Sequence, residues 1–223
     1  MHQRTLAIVF SIISYQAGFS QQLFYFNSVK IDSLRYQEVE GTPFLYDSWR
    51  LAKLTNRDGT VYNVRLNFNG YEQKFEVDHA SYTATLNEDQ FEEIEVLIEK
   101  GDSTQEWFIR GVHFEIALKL SNVIYRSDKI LLIREFKVRL AEFTNEIYGD
   151  PEVHKKFVPA RYYSILYESK LYQITLNKKR LGKVFSDRDL IDATIKQHKL
   201  KLSNEDDLIK LMALLNDHLD SQN

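Results

Sequence analysis

The sequence predicts an α+β fold: a mainly antiparallel sheet, curved or sandwich-like, with two C-terminal helices packed on it. Three observations carry this. Between residues 23 and 140, apolar and polar residues alternate with the period of two that a half-buried strand requires. Turn signals break this stretch at short intervals. After residue 186 the spacing changes to three and four, the repeat of an amphipathic helix.

The first 20 residues stand apart from this pattern. Arg4 precedes a largely apolar run, Leu6–Tyr15, and Gly18 and Ser20 put small residues before Gln21. That is the layout of a secretory signal peptide over residues 1–20. The run is about ten residues, too short for a bilayer span of roughly 20. No later segment is long and apolar enough to be a membrane helix. The chain has 0 Cys, so a disulfide framework, a thiol nucleophile and a cysteine-linked lipid anchor are all excluded. An extracytoplasmic product, periplasmic or secreted, is expected.

Residues 21–223 then form one β-rich domain: a meander over 21–140, a loop over 141–160, a hairpin over 161–185 and a helical tail over 186–219. With 14 Phe, 13 Tyr and only 3 Pro, this length can bury a sizeable core.

The firmest hairpin signal is Tyr62–Val77. Tyr62, Val64, Leu66 and Phe68 alternate with polar residues, and Asn69-Gly70 follows. A two-residue type I′ turn there would set Phe68 against Tyr71 and Leu66 against Gln73. Further runs follow at Leu51–Leu54, Tyr82–Leu86 and Ile94–Ile98, the last with an acidic outer face. Lys100-Gly101-Asp102-Ser103 reads as a turn. Phe114, Ile116, Leu118 and Leu120 alternate with His113, Glu115 and Lys119, and Ile130–Leu140 follows a turn at Ser127–Lys129. Arg161–Tyr167 and Leu171–Leu176 form a second hairpin. In the tail, Ser186-x-x-Asp189 and Ser203-x-x-Asp206 read as helix caps. Leu208, Leu211, Met212, Leu215 and Leu219 form an apolar stripe that needs a partner surface.

Charge is uneven along the chain. Residues 21–153 hold 15 basic and 23 acidic side chains, net −8, and residues 154–202 hold 12 and 4, net +8. The basic segment is expected to pack on the acidic body. An anionic envelope partner is the alternative.

No catalytic, cofactor or metal site is expected. His79, His113, His154, His198 and His218 are scattered, and Glu152-x-His154 is the nearest approach to a metal pair. Glu92, Glu93, Glu95 and Glu99 lack the loop of a calcium site and read as a solvated strand face. No Gly-x-Ser-x-Gly elbow or phosphate loop is present. Lys178-Lys179-Arg180 near Tyr162, Tyr163, Tyr167 and Tyr172 has the composition of a single-strand binder, but a hairpin with a basic turn is the ordinary explanation, and export argues against nucleic acid.

Two stretches carry a resemblance. One is Gly41-Thr42-Pro43-Phe44-Leu45 with Asp58-Gly59-Thr60-Val61-Tyr62 and Leu66-Asn67-Phe68-Asn69. The other is Arg161-Tyr162-Tyr163, through Phe185-Ser186-Asp187, to Ile195-Lys196 and Glu205–Leu211. Together they resemble a group of uncharacterised secreted proteins common in Bacteroidota. The resemblance implies no function and carries over no functional residue. The leading expectation is a non-enzymatic envelope protein that binds a ligand or partner through its sheet. The alternatives are a hydrolase of glycan or peptide, and an assembly factor docking through its C-terminal helices.

Overall fold

Most of the alternating runs become neighbours in a single sheet. The computed structural model describes residues 29–32, 34–79, 82–98, 104–145 and 152–221. The expected signal peptide and the turn at Lys100–Ser103 lie outside these residues. The strands are β1 Val29–Lys30, β2 Val39–Glu40, β3 Arg50–Asn56, β4 Val61–Asn69, β5 Lys74–His79, β6 Tyr82–Thr85, β7 Phe91–Ile98 and β8 Thr104–Arg110. They continue with β9 Leu120–Arg126, β10 Ile130–Asn145, β11 Glu152–Tyr167 and β12 Lys170–Ile174. Three helices follow: α1 Lys178–Val184, α2 Arg188–His198 and α3 Glu205–Ser221. The sheet order is β1-β6-β5-β4-β3-β7-β8-β9-β10-β11-β12, antiparallel throughout, with β2 parallel on β11. The α+β class expected from the sequence is thus observed. Among the described residues β1 and β12 end the path, and the sheet is not closed.

Two apolar cores form. Leu54, Leu66, Phe75, Phe91, Ile94 and Phe108 fill the first, with Phe136, Val138 and Phe157 from the long strands β10 and β11. The second lies between those strands and the helices. It joins Ile130, Leu132 and Ile165 to Leu181, Ile191, Leu208, Leu211, Met212 and Leu215. The α3 stripe is therefore covered by this chain's own sheet.

Five expectations need correction. Residues 141–160 are not a loop: β10 runs to Asn145, β11 starts at Glu152, and the two pair along their whole length. Residues 146–151, between the two strands, lie outside the described residues. Pro159 sits between the stretch of β11 paired with β2 and the stretch paired with β12, where that edge is open and no ladder donor is missed.

The Asn69-Gly70 hairpin exists in a different register. Phe68 faces Phe75, not Tyr71, and Leu66 faces Val77. The shift is even, so every side chain keeps its face, and alternation alone could not detect it. Asn69 is a strand residue. Its Oδ1 accepts from the Tyr71 and Glu72 N–H groups, each at 3.0 Å, and so shapes a wider turn. The left-handed residue is Gln73, φ 56°, not Gly70. A Cβ on Gly70 would meet Phe136 ring carbons at 2.5 Å, so close packing on β10 explains that glycine. The two-residue turn with two left-handed positions occurs instead at Glu168 and Ser169, between β11 and β12.

Residues 113–119 are not a strand. A 3-10 turn at Phe114–Ile116 follows Gly111, whose φ is 71°. The Arg110 guanidinium donates to the Leu118 carbonyl and holds the chain in this turn. Finally, Lys178-Lys179-Arg180 opens helix α1 rather than a hairpin turn. Asn177 caps it, accepting from the Arg180 N–H at 2.9 Å. The caps of α2 and α3 are Asp187 and Asn204, one residue beyond the serines expected. Ser186 instead takes a left-handed conformation, φ 55°.

Candidate functional site

Strand β10 carries one charged residue in its inward series. Ile130, Leu132, Phe136 and Val138 point inward, and Arg134 falls between them, only 4% exposed. It lies where the two cores meet. Its Nη2 donates to Glu106 of β8 at 2.5 Å and its Nη1 to Glu205 of α3 at 2.6 Å. Its Nε donates to Asn122 of β9 at 2.8 Å. Two tyrosines complete the network. The Tyr46 hydroxyl donates to Glu106 and the Tyr163 hydroxyl to Glu205, each at 2.8 Å.

The electrostatics follow from this geometry. Burial works against the Arg134 charge, and the two carboxylates more than offset it, so its pKa is raised. Burial and the neighbouring carboxylates hold Tyr46 and Tyr163 well above the usual phenol range. A buried guanidinium with every nitrogen engaged is not free to bind a ligand's charge. The network fastens α3 to the sheet and makes one wall of a cavity.

That cavity measures about 640 Å³. The β9–β10 ladder ends at the pair Asn122–Arg134. Farther along β10, the edge is taken by the β4–β5 turn. The Val138 N–H donates to the Gly70 carbonyl at 2.9 Å, and Gln73 Nε2 donates to the Phe136 carbonyl at 2.9 Å. Leu45, Phe68, Phe108, Leu120 and Phe136 supply the apolar lining of the cavity. Segment 111–119 supplies part of its wall through Glu115, Ile116, Leu118 and Lys119.

The charges around the cavity cancel. Glu88, Asp89, Glu115 and Glu135 contribute the acidic groups. Arg110, Lys119, Arg134 and Lys137 contribute the basic ones. Several are already engaged within the protein. Arg110 donates to the carbonyls of Phe91 at 3.0 Å and Glu88 at 2.6 Å as well as to Leu118. Lys137 pairs with Glu135 at 3.0 Å. Glu88 accepts from the Phe75 N–H at 3.1 Å, and burial raises its carboxyl above the usual range.

Apart from Tyr163, which joins the Arg134 network, the candidate residues singled out in the sequence lie elsewhere. His79 stacks on Tyr82, His113 caps the 3-10 turn, His154 is on β11, and His198 and His218 are on α2 and α3. Among the described residues no group of three or more His, Cys, Asp or Glu is gathered to hold a metal ion. Glu92, Glu93 and Glu95 meet Arg57, Arg126 and Lys53 at 3.0, 3.5 and 3.1 Å, and Glu99 lies outside the described residues. Tyr163 is turned inward and Tyr167 packs on Phe185, while Tyr162 is exposed, so the four tyrosines do not share one surface with Lys178–Arg180.

Sequence reasoning missed Arg134, Glu106 and Asn122. A signal was present for two of them: Arg134 falls between Leu132 and Phe136 and Asn122 between Leu120 and Ile124 on the same strand face, whereas Glu106 lies in a mixed series and carried none. No family model matches the chain, and no curated protein or solved structure matches it.

Proposed function

We propose that this chain is a non-enzymatic extracytoplasmic binding module that takes a small, largely uncharged amphipathic molecule into the cavity beside β10. The observation that carries this is the cavity itself: about 640 Å³, apolar at Leu45, Phe68, Phe108 and Phe136, with balanced charges. Ligand sites are commonly concave, mostly apolar and of roughly 300–1,000 Å³. Arg134 and Arg110, the two guanidinia at the wall, are consumed by protein acceptors. The cavity therefore offers hydrogen-bonding groups such as Ser121, Ser164 and Gln173 rather than a free counter-charge. The leader read at residues 1–20 and the resemblance to secreted proteins support an extracytoplasmic location. The burial of the α3 stripe favours ligand binding over assembly through the tail.

The test is titration of the purified protein with Nile red, an uncharged apolar dye, beside native mass spectrometry of protein from its own source. Saturable one-site binding is expected, and Leu120→Trp, which fills the cavity, should weaken it at least tenfold with the melt preserved. Absent binding, or binding unmoved by Leu120→Trp, would overturn the reading.

One observation favours hydrolysis as a second reading. Glu88 is a carboxyl raised by burial, and Asp89 and Glu115 line the same cavity. Acid–base cleavage of a glycosidic bond uses a pair of carboxyls, one of them raised so that it can donate a proton. Turnover of a chromogenic glycoside panel, abolished by Glu88→Gln with Nile red binding intact, would establish it.

A further inference from the structure

Phe114 and Leu118 are the most exposed large apolar residues among those described, at 79% and 87%. Isolated exposed leucines are ordinary. These two are not isolated, because they lie four residues apart on one short segment. That segment also walls the cavity through Ile116 and Leu118.

Their exposure does not come from a loose chain. His113 accepts from the Glu115 N–H at 3.4 Å, and the Ile116 and Lys119 N–H groups close successive turns onto His113 and Ile116 carbonyls at 3.0 and 3.1 Å. Arg110 clamps the far end at Leu118. The backbone therefore presents the two side chains outward from a braced support. Holding a phenyl ring and an isobutyl group in water is unfavourable unless they meet an apolar phase.

Resting on the cavity-binding reading above, the geometry points to segment 111–119 as a membrane-docking element. It would seat the cavity mouth on a bilayer, and the cavity ligand would be a single-chain amphiphile drawn from that bilayer. Three features fit this partner. The apolar side chains and the cavity share one segment, so docking brings the opening to the lipid surface. Phe and Leu on a polar, braced turn match the shallow insertion used by interfacial elements. The charges lining the cavity cancel, so the contact requires no anionic lipid and suits a zwitterionic surface. A protein partner would instead call for a broader patch, of about 800 Å² per side.

The experiment is flotation of the full chain with phosphatidylcholine vesicles, with Phe114→Asp and Leu118→Asp as variants. Both positions are exposed, so the fold should survive, and a melt checks this. The wild type should float with the vesicles, independently of salt. Each variant should partition roughly tenfold less, since an apolar side chain of this size is worth about that factor between water and an apolar phase. Transfer of a fluorescently labelled single-chain lipid from the vesicles should slow by a similar factor. Nile red affinity without vesicles should stay within about twofold in Phe114→Asp, whose side chain does not line the cavity. Failure of the wild type to float, or variants that float equally, would overturn the docking role while leaving cavity binding intact. A concentration-dependent dimer dissolved by Leu118→Asp, with no flotation, would overturn it in favour of a second copy as the partner. Normal flotation without lipid transfer would overturn the amphiphile as ligand.

Discussion

Arg134 of β10 and Glu205 in the first turn of α3 are joined by a 2.6 Å charge-assisted hydrogen bond at the boundary between the two cores. Through this pair the helical layer is tied to the strand that also walls the cavity. Glu106 neutralises the other side of the guanidinium, and the two tyrosine hydroxyls satisfy the carboxylates.

Removing the shared cation should therefore be costly. Arg134→Met leaves Glu106 and Glu205 facing one another with no counter-charge and should destabilise by about 3–5 kcal/mol in urea unfolding. Adding Glu106→Gln and Glu205→Gln to that background should recover most of the loss. A triple variant no more stable than the single one would show that lost packing, not unpaired charge, dominates.

At the β4–β5 turn the cost is steric. Gly70→Ala puts a methyl group where Phe136 Cδ1 and Cε1 stand at 2.5 Å and Val138 Cγ2 at 2.9 Å. A loss of about 1–3 kcal/mol is expected, with partial rescue by Phe136→Leu. A backbone-conformation cause would give no rescue.

Asn69 should prove at least as sensitive as Gly70. It is fully buried, and it also donates to Tyr36 at 3.0 Å and to Glu76 at 2.6 Å. Asn69→Ala strands the buried Glu76 carboxylate with one donor fewer, so a loss of about 1–3 kcal/mol is expected in the same melts. Asn69→Gly, mild if the residue only formed a turn corner, should be comparably damaging.

Alkaline pH should weaken the fold. Burial, with the Glu72 hydrogen bond, pushes the Tyr36 phenol from 10.0 up to about 12, and Tyr46 and Tyr163 move in the same direction. Below pH 10 these hydroxyls are protonated in both states and their contribution is complete. Between pH 10 and about 12 the unfolded chain loses protons that the folded chain retains, so stability falls as pH rises. Denaturant melts at about pH 9 and about pH 11 should show the drop. Tyr36→Phe should make it shallower, and an equal slope in that variant would exclude Tyr36 as a source.

The tail belongs to the fold. Leu211 is 0% exposed within the second core, and Leu211→Ala should cost about 2–5 kcal/mol. Lys210→Ala, on the exposed side, should stay within about 0.5 kcal/mol. An unchanged melt for Leu211→Ala would mean that α3 is a detachable segment.

The alternation of Leu66, Phe68, Phe75 and Val77 determined which side of each strand faces inward, and the spacing of Leu208, Leu211, Met212 and Leu215 determined which side of α3 does. Those are properties of two and 3.6 residues, so a single stretch of sequence contains them. The class, the antiparallel pairing and the helical end were legible for that reason. Register was not, because an even slip preserves every face. The 113–119 turns were not, because a period of two in Phe114, Ile116, Leu118 and Leu120 says nothing of a clamp from Arg110. The extent of β10 and β11 was decided by each strand finding the other across 16 residues. The candidate site was decided last. Arg134 met Glu106 and Glu205, 28 and 71 residues away in the chain, only once β8 and β10 had paired on β9 and α3 had docked. No local window holds all three residues, and a cavity between distant strands has no sequence of its own.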